Sequence, residues 1–416
     1  MVVQSLAGGT RERRTVSYWP DASQGKIVAI RADASLEIGT GHVMRCLTLA
    51  RALREAGAEC HFLCRVHPGN LTEMIQSEGF VVHLLPLKGR DDADQLSAVS
   101  ERHKSEPAEV QFHGTNGMTE HSHWLGVHWQ TDAKACRAIL EGLAPDWLIV
   151  DHYALNACWE RAVLPQCTRL MVIDDLADRS HIADILLDQN IGRAEKDYEN
   201  LVPSSCRCLI GPRYALLRPE FAELREASLE RRREPFEPKR LLISLGGVDK
   251  DNATGVALDV LKSCSLPGDC HITVVMGASA PWLNDVRAKA GELPWHCDVV
   301  VNVTDMAERM TWADLAIGAA GSTSWERCCL GVPTLMLELA ENQKGIAQAL
   351  HQAGAAYNVG EPDSLHRLPD IWPEIIHPTP LAQMSHIASH LVDGRGVARL
   401  VREMTAWSHP KEMRNG

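Results

Sequence analysis

Short runs of valine, isoleucine and leucine recur along the chain and alternate with segments whose apolar residues fall at helical spacing. This alternation constrains the fold more than any other feature. Strands without a polar face are those buried on both sides, and strands separated by helices pair in parallel. In the first half such runs occupy Lys26 to Arg31, Cys60 to Arg65, Val81 to Leu85, Trp147 to Val150, Leu170 to Ile173 and Ile185 to Leu187. The series restarts at Arg240 to Ser244 and continues through His271 to Met276, Asp298 to Val303, Leu315 to Gly318 and Thr334 to Leu337. Between the two series, Pro219 to Pro238 is charged and bounded by prolines, which marks a domain boundary. A chain of 416 residues exceeds one ordinary core. The expected fold class is α/β, with two Rossmann-like, doubly wound parallel-sheet domains facing a shared cleft. The expected division is an N-terminal extension over 1–25, a first domain over 26–228 with a polar insertion near 95–123, a second domain over 239–385, and C-terminal helices and tail over 386–416. Those last helices are expected to pack back across the interface.

The stretch from Arg31 to Arg51 carries the first chemical signal. A strand delivers the chain into Ile38-Gly39-Thr40-Gly41-His42, and from Val43 the apolar residues Cys46, Leu47, Leu49, Ala50 and Leu53 follow a helical period, with Gly57 placed to cap the end. His42 therefore stands at a helix mouth, where the first-turn N–H groups disfavour the protonated imidazole and leave a candidate general base. Gly39 and Gly41 let a ligand approach the backbone. The same spacing also suits a tight βα turn that His42 merely caps.

Further polar groups stand where parallel strands end, the place at which open α/β sheets collect ligands. They are Asp151-His152-Tyr153, Asp174-Asp175 and Asp188-Gln189-Asn190. In the second series, Gly246-Gly247 follows one strand and Ala320-Gly321-Ser322-Thr323 follows another. The latter turn opens a helix and offers hydroxyls and free N–H groups to a phosphate, with Glu326 one turn on, in reach of vicinal ribose hydroxyls. The competing reading makes Ser322 a cap and Glu326 a surface charge. Glu338, Glu341, Asn342 and Gln343 form another polar strand end.

The balance of 42 Lys+Arg against 54 Asp+Glu gives a formal charge of −12, which argues against general nucleic-acid or anionic-membrane binding. Arg231-Arg232-Arg233 is expected to be a solvated helix face. The apolar runs are of strand length, so no transmembrane helix is expected. Thirteen scattered cysteines without a CxxC pair are expected as buried, reduced thiols in a cytoplasmic protein. Met1 to Gly25 lacks the apolar region of a secretory signal. His103, His113, His121 and His123 fall in the insertion without a periodicity that would hold them around a metal.

In combination, several segments resemble a known family. Arg31-Ala32-Asp33-Ala34-Ser35 with Ile38-Gly39-x-Gly41-His42-x-x-Arg45-Cys46 begins the series, and Asp151-His152-Tyr153 with Trp159-Glu160 follows. Ile173 to Arg179, Leu187 to Asn190, Leu209 to Leu217, Ser244 to Asp249 and Ala320 to Glu326 continue it in order. Together they are similar to the hydrolases that act on UDP-2,4-diacetamido-2,4,6-trideoxy-β-L-altropyranose in pseudaminic acid biosynthesis. The resemblance runs from about Lys26 to the region of Gly354. It implies a fold like that of inverting two-Rossmann-domain (GT-B-like) glycosyltransferases, and a small-molecule UDP-sugar as partner. It also implies His42 as the base that activates water, with no metal or cofactor. Arg31, Asp33, Gly39, Gly41, Arg45, Tyr153, Gly246, Gly247, Gly321, Ser322, Thr323, Glu326, Asn342 and Gln343 become the implied substrate and UDP contacts. Flagellar or capsular decoration is what such a pathway would serve. A glycosyltransferase of the same fold, a UDP-sugar isomerase and a silent sugar-nucleotide binder remain as alternatives. The insertion and the N-terminal extension depart from the family pattern.

Overall fold

A computed structural model describes residues 25–87, 118–234, 236–278 and 280–406. The expected N-terminal extension, the centre of the insertion with His103 and His113, and the end of the tail lie outside these residues. The first sheet is built from β1 (Ile27–Ala32), β2 (Glu59–Arg65), β3 (Val81–Leu85), β4 (Trp147–Asp151), β5 (Arg169–Ile173), β6 (Ile185–Asp188) and β7 (Arg207–Ile210), in the order β3-β2-β1-β4-β5-β6-β7. The second comprises β8 (Arg240–Ser244), β9 (His271–Met276), β10 (His296–Val301), β11 (Leu315–Ala319), β12 (Thr334–Leu337) and β13 (Tyr357–Gly360), in the order β10-β9-β8-β11-β12-β13. All pairings between these strands are parallel.

Each sheet therefore reverses its strand order once, between β1 and β4 and between β8 and β11, and each reversal opens a crevice at the carboxyl ends of those strands. Both faces of the central strands of each sheet are covered, which is why those strands read as apolar runs, whereas the edge strands β3 and β10 keep exposed positions. On β1, Val28, Ile30 and Ala32 pack with the Gly41–Glu55 helix. Ala29 points the other way, into a cluster with Leu140 and Trp159.

Two strands exceed the expectation, β7 and β13. Both are four residues long, and β13 reads Tyr-Asn-Val-Gly, too short and polar to signal a buried strand. The helix expected from Asp132 starts at Trp129, where the His128 side chain accepts from the Gln130 N–H.

The arginine run is not a solvated face. Arg232 is buried on the Pro219–Glu230 helix's C-terminal side and donates to the Met310 and Thr311 carbonyls at 3.0 and 3.1 Å, and to that of Ala313. Arg231 donates to the Thr311 carbonyl at 3.0 Å and pairs with Asp314, and only Arg233 is largely exposed. These cations cap the carbonyl end of the Met306–Trp312 helix, where the helix dipole favours positive charge.

The Gly396–Ala406 helix crosses back to the first sheet, where Leu400, Val401 and Met404 join the cluster around the Gly41–Glu55 helix. Gly396 is required there, since a Cβ would lie 2.2 Å from the Ala215 oxygen. All thirteen cysteines are free and none is exposed. Among the described residues, no helix is long and apolar enough to cross a membrane.

Candidate active site

The crevice between β1 and β4 is where the first glycine loop delivers His42. Gly39 takes a positive φ of 78° and its N–H returns to the Ser35 carbonyl at 2.9 Å, closing the loop tightly before the helix begins at Gly41. Asp151, the last residue of β4, lies in register with Ala32 of β1. Its Oδ1 is 2.6 Å from His42 Nδ1.

Asp151 has no exposed surface, and burial alone would push its carboxyl up. Arg45 and His42 reverse that and hold it well below the usual carboxylate range. Arg45 does so from one helical turn past His42, donating Nε to Oδ2 at 2.6 Å and Nη2 to Oδ1 at 2.7 Å. An ionised Asp151 can only accept, so a neutral imidazole here carries its hydrogen on Nδ1 and offers the lone pair of Nε2. This is the base–orienter pair of a hydrolytic triad.

The network continues outward through the other strand ends. Arg45 Nη2 is 2.7 Å from Asp175 Oδ2. Asp175 also accepts from the Tyr153 hydroxyl at 2.7 Å and from Asn190 Nδ2 at 3.2 Å. Burial, and after it the Asp175 charge, raise the Tyr153 hydroxyl well above its ordinary pKa, so it stays a donor. At the end of β6, burial and Asp175 push Asp188 up to about 7.

Tyr153 meets His42 edge to face, with ring centroids 4.6 Å apart, and stacks on Trp124 at 5.6 Å and 24°. His121 is 5.5 Å from the same ring. Trp124 belongs to the short Ser122–Leu125 turn, tied down where His123 Nε2 meets Glu37 Oε1 at 3.0 Å. The end of the polar insertion thus roofs the His42 crevice. Nothing in the spacing of His121 and Trp124 signals this.

Arg31 and Asp33 do not reach the crevice. Strand alternation sends them to the face opposite the Gly41–Glu55 helix, and neither has exposed surface. Arg31 binds Asp33 with both Nη atoms at 2.6 and 2.8 Å and Asp132 at 2.8 Å. Arg65 and the Trp159 indole complete the shell of Asp132. Arg31 and Asp33 thus form a brace beneath the sheet, paired with one another, Arg31 also with Asp132 and Asp33 also with His152 at 3.2 Å. Arg45 likewise serves Asp151 and Asp175.

In the second sheet, the β8 and β11 ends present the other glycine loops. Gly246 has φ 94°, and Gly247 accepts the Gly277 N–H at 2.9 Å. A Cβ on Gly277 would come within 2.3 Å of that Gly247 oxygen, so the two loops interlock. After β11, a Cβ at Gly321 would lie 3.7 Å from Gln343 Nε2, and Gln343 is held by its own Oε1 accepting from the Leu339 N–H at 3.0 Å. Asn342 is exposed beside it. Thr323 Oγ1 accepts from Arg327 at 3.0 Å. Burial pushes the Glu326 carboxyl up to about 7, with the Arg218 guanidinium 3.9 Å away drawing it back down.

The two halves meet at these loops. A Cβ on Gly41 would stand 3.7 Å from Ser322 Oγ, so the His42 loop and the Gly321 turn face each other directly across the cleft.

Residues 251–394 match the model of the glycosyltransferase family 28 C-terminal domain. The chain is 27% identical over 208 residues to the UDP-2,4-diacetamido-2,4,6-trideoxy-β-L-altropyranose hydrolase of Campylobacter jejuni, a match covering 50% of this chain and 71% of that one. It is 26% identical over 326 residues to an uncharacterized protein of Methanocaldococcus jannaschii, covering 76% of this chain and 56% of the relative's length. Among solved structures, Acinetobacter baumannii MurG superposes with a TM-score of 0.63 at 16% identity, over 92% of this chain and 99% of that one. The motif resemblance to the altropyranose hydrolase is therefore matched by a sequence similarity over half of the chain, within a two-domain fold shared with MurG.

Proposed function

We propose that the chain hydrolyses a UDP-linked diacetamido-trideoxy sugar, releasing UDP and the free sugar by attack of water at the anomeric carbon with inversion. The observation that carries this reading is His42 at the β1/β4 crevice, its Nδ1 fixed by buried Asp151 and its loop directly opposite the Gly321 turn. His42 Nε2 takes a proton from water as the water attacks the anomeric carbon and the bond to the UDP oxygen breaks. Backbone donors of Gly321, Ser322 and Thr323, with Gly246 and Gly247, receive the diphosphate. Glu326 accepts from the ribose hydroxyls, and the base lies near Val303 to Met306. Tyr153, Asn342 and Gln343 line the sugar. The relationship to the Campylobacter jejuni hydrolase supports the substrate class.

The match of residues 251–394 to a glycosyltransferase domain favours a second reading, transfer to an acceptor hydroxyl by the same base. Incubating the protein with UDP-diacetamido-trideoxy-altrose and chelator, without acceptor, and following the anomeric protons by NMR separates the two. Free sugar appearing first in the inverted configuration is expected. Intact substrate would favour the transferase, and a UDP-sugar of altered configuration an isomerase.

The ribose role of Glu326 has its own pH signature. Its side chain is 18% exposed and its carboxyl is raised, so the folded chain holds this proton longer than the unfolded one. Stability from this group therefore falls as pH rises from about 4.3, the unfolded value, through about 7. Glu326→Gln should match wild type in thermal unfolding at pH 4 and exceed it at pH 8, by up to about 3 kcal/mol. UDP affinity, measured by calorimetry, should tighten about tenfold more through pH 7 in wild type than in the variant, because the ionised carboxylate is the stronger acceptor, while the titration of the UDP terminal phosphate is common to both proteins. Identical UDP titrations for both proteins would remove Glu326 from the ribose.

A further inference from the structure

The second sheet carries a chemical cluster at the end remote from the cleft. Among the described residues β10 is an edge strand paired with β9 alone, with His296 opposite His271 and Asp298 opposite Thr273. The two-residue period turns His271, His296 and Asp298 to one face. His271 Nε2 lies 2.8 Å and His296 Nε2 3.3 Å from Asp298 Oδ2. The two rings stand 4.5 Å apart at 78°. One donor atom from each of the three residues falls within 4.8 Å of the others.

We propose that His271, His296 and Asp298 bind a divalent transition-metal ion, zinc foremost, which staples the edge strand β10 to β9. Two imidazoles and a carboxylate form a donor set that zinc prefers and that magnesium and calcium do not, leaving a fourth position for water. Ligand bonds of about 2.0–2.1 Å in a tetrahedron place the donors about 3.3–3.4 Å apart. His296 and Asp298 already stand at that separation. His271 must back away by about half an ångström, a small side-chain rotation for a half-exposed residue. His296 and Asp298 are exposed, so the fourth position is open to water. The cluster sits at the amino ends of β9 and β10, whereas His42 and the glycine loops occupy carboxyl ends. The ion therefore holds the fold together and takes no part in the cleft chemistry.

The test uses the full-length protein, stripped with chelator and titrated with zinc against a chromophoric zinc indicator. Wild type is expected to bind one equivalent that is weakened at least about tenfold in His271→Ala, His296→Ala and Asp298→Asn, the last keeping the size and hydrogen bonding of the native side chain. Zinc should raise the midpoint of thermal unfolding in wild type and leave it unmoved in the three variants. Cobalt in place of zinc should give tetrahedral visible absorption in wild type alone. Equal stoichiometry and affinity in wild type and all three variants would assign the bound zinc to other histidines and overturn the proposal, as would the absence of binding.

Discussion

Replacing His42 with alanine is expected to lower turnover of the UDP-sugar by about a hundredfold to ten-thousandfold, the range a positioned general base contributes. UDP binding should survive. The imidazole sits in the first half of the chain, and the loops proposed to hold UDP belong to the second. The fold should survive too, because Asp151 keeps its two bonds from Arg45 when the imidazole is removed and is not left as an uncompensated buried charge. The loss should therefore fall on kcat, with the calorimetric affinity for UDP unchanged. Turnover at the wild-type rate would take His42 out of the chemistry, and loss of UDP affinity would point to a misplaced cleft instead.

His42 was legible in the sequence because its signal is local: strand, glycines and helix lie within one short stretch, and the helix mouth follows from their order. Its partner was not. Asp151 lies 109 residues away and reads only as one polar strand end among three. What makes it the partner is the strand order, which sets β4 beside β1 after β2 and β3 have been placed on the other side. The same limit explains Arg31 and Asp33. The motif names them, but which face of β1 turns to the cleft is decided by the helices packed on it, and alternation put Ala32 rather than Arg31 beneath His42's helix. The arginines at 231 and 232 failed as a solvated face for a related reason. Their acceptors are carbonyls at the end of a helix some eighty residues on, which no charge pattern displays. By contrast, the two sheets were largely legible because their central strands are buried on both faces. β13 escaped because an edge strand with Asn358 and Gly360 carries little apolar signal.

Asp151→Asn tests whether that distant partner orients the base or only braces the fold, and both effects are expected. The carboxylate accepts His42 Nδ1–H at 2.6 Å and two Arg45 donors at 2.6 and 2.7 Å, and an amide can supply only one accepting oxygen. If the oxygen stays with Arg45, the amide N–H₂ faces His42 Nδ1, which must then accept. The imidazole hydrogen moves to Nε2, and the base loses the lone pair that takes the proton from water. In the serine-protease triad that tautomer error costs about ten-thousandfold, and a loss of about a thousandfold or more is expected here. Arg45 retains Asp175 but loses charge pairing on its other side, and breaking a buried pair in this way costs about 3–5 kcal/mol of stability. The pH dependence identifies the second effect. Asp151 is held below its unfolded value, so its stabilisation is present above about pH 4 and drains away as pH falls below that. Acid unfolding of wild type should show this slope, and the asparagine variant should have less of it. Assays run well below the variant's unfolding midpoint then isolate catalysis. An Asp151→Asn protein that unfolds earlier yet turns over at the wild-type rate would make Asp151 a brace alone, and the arrangement around His42 would need another orienting group.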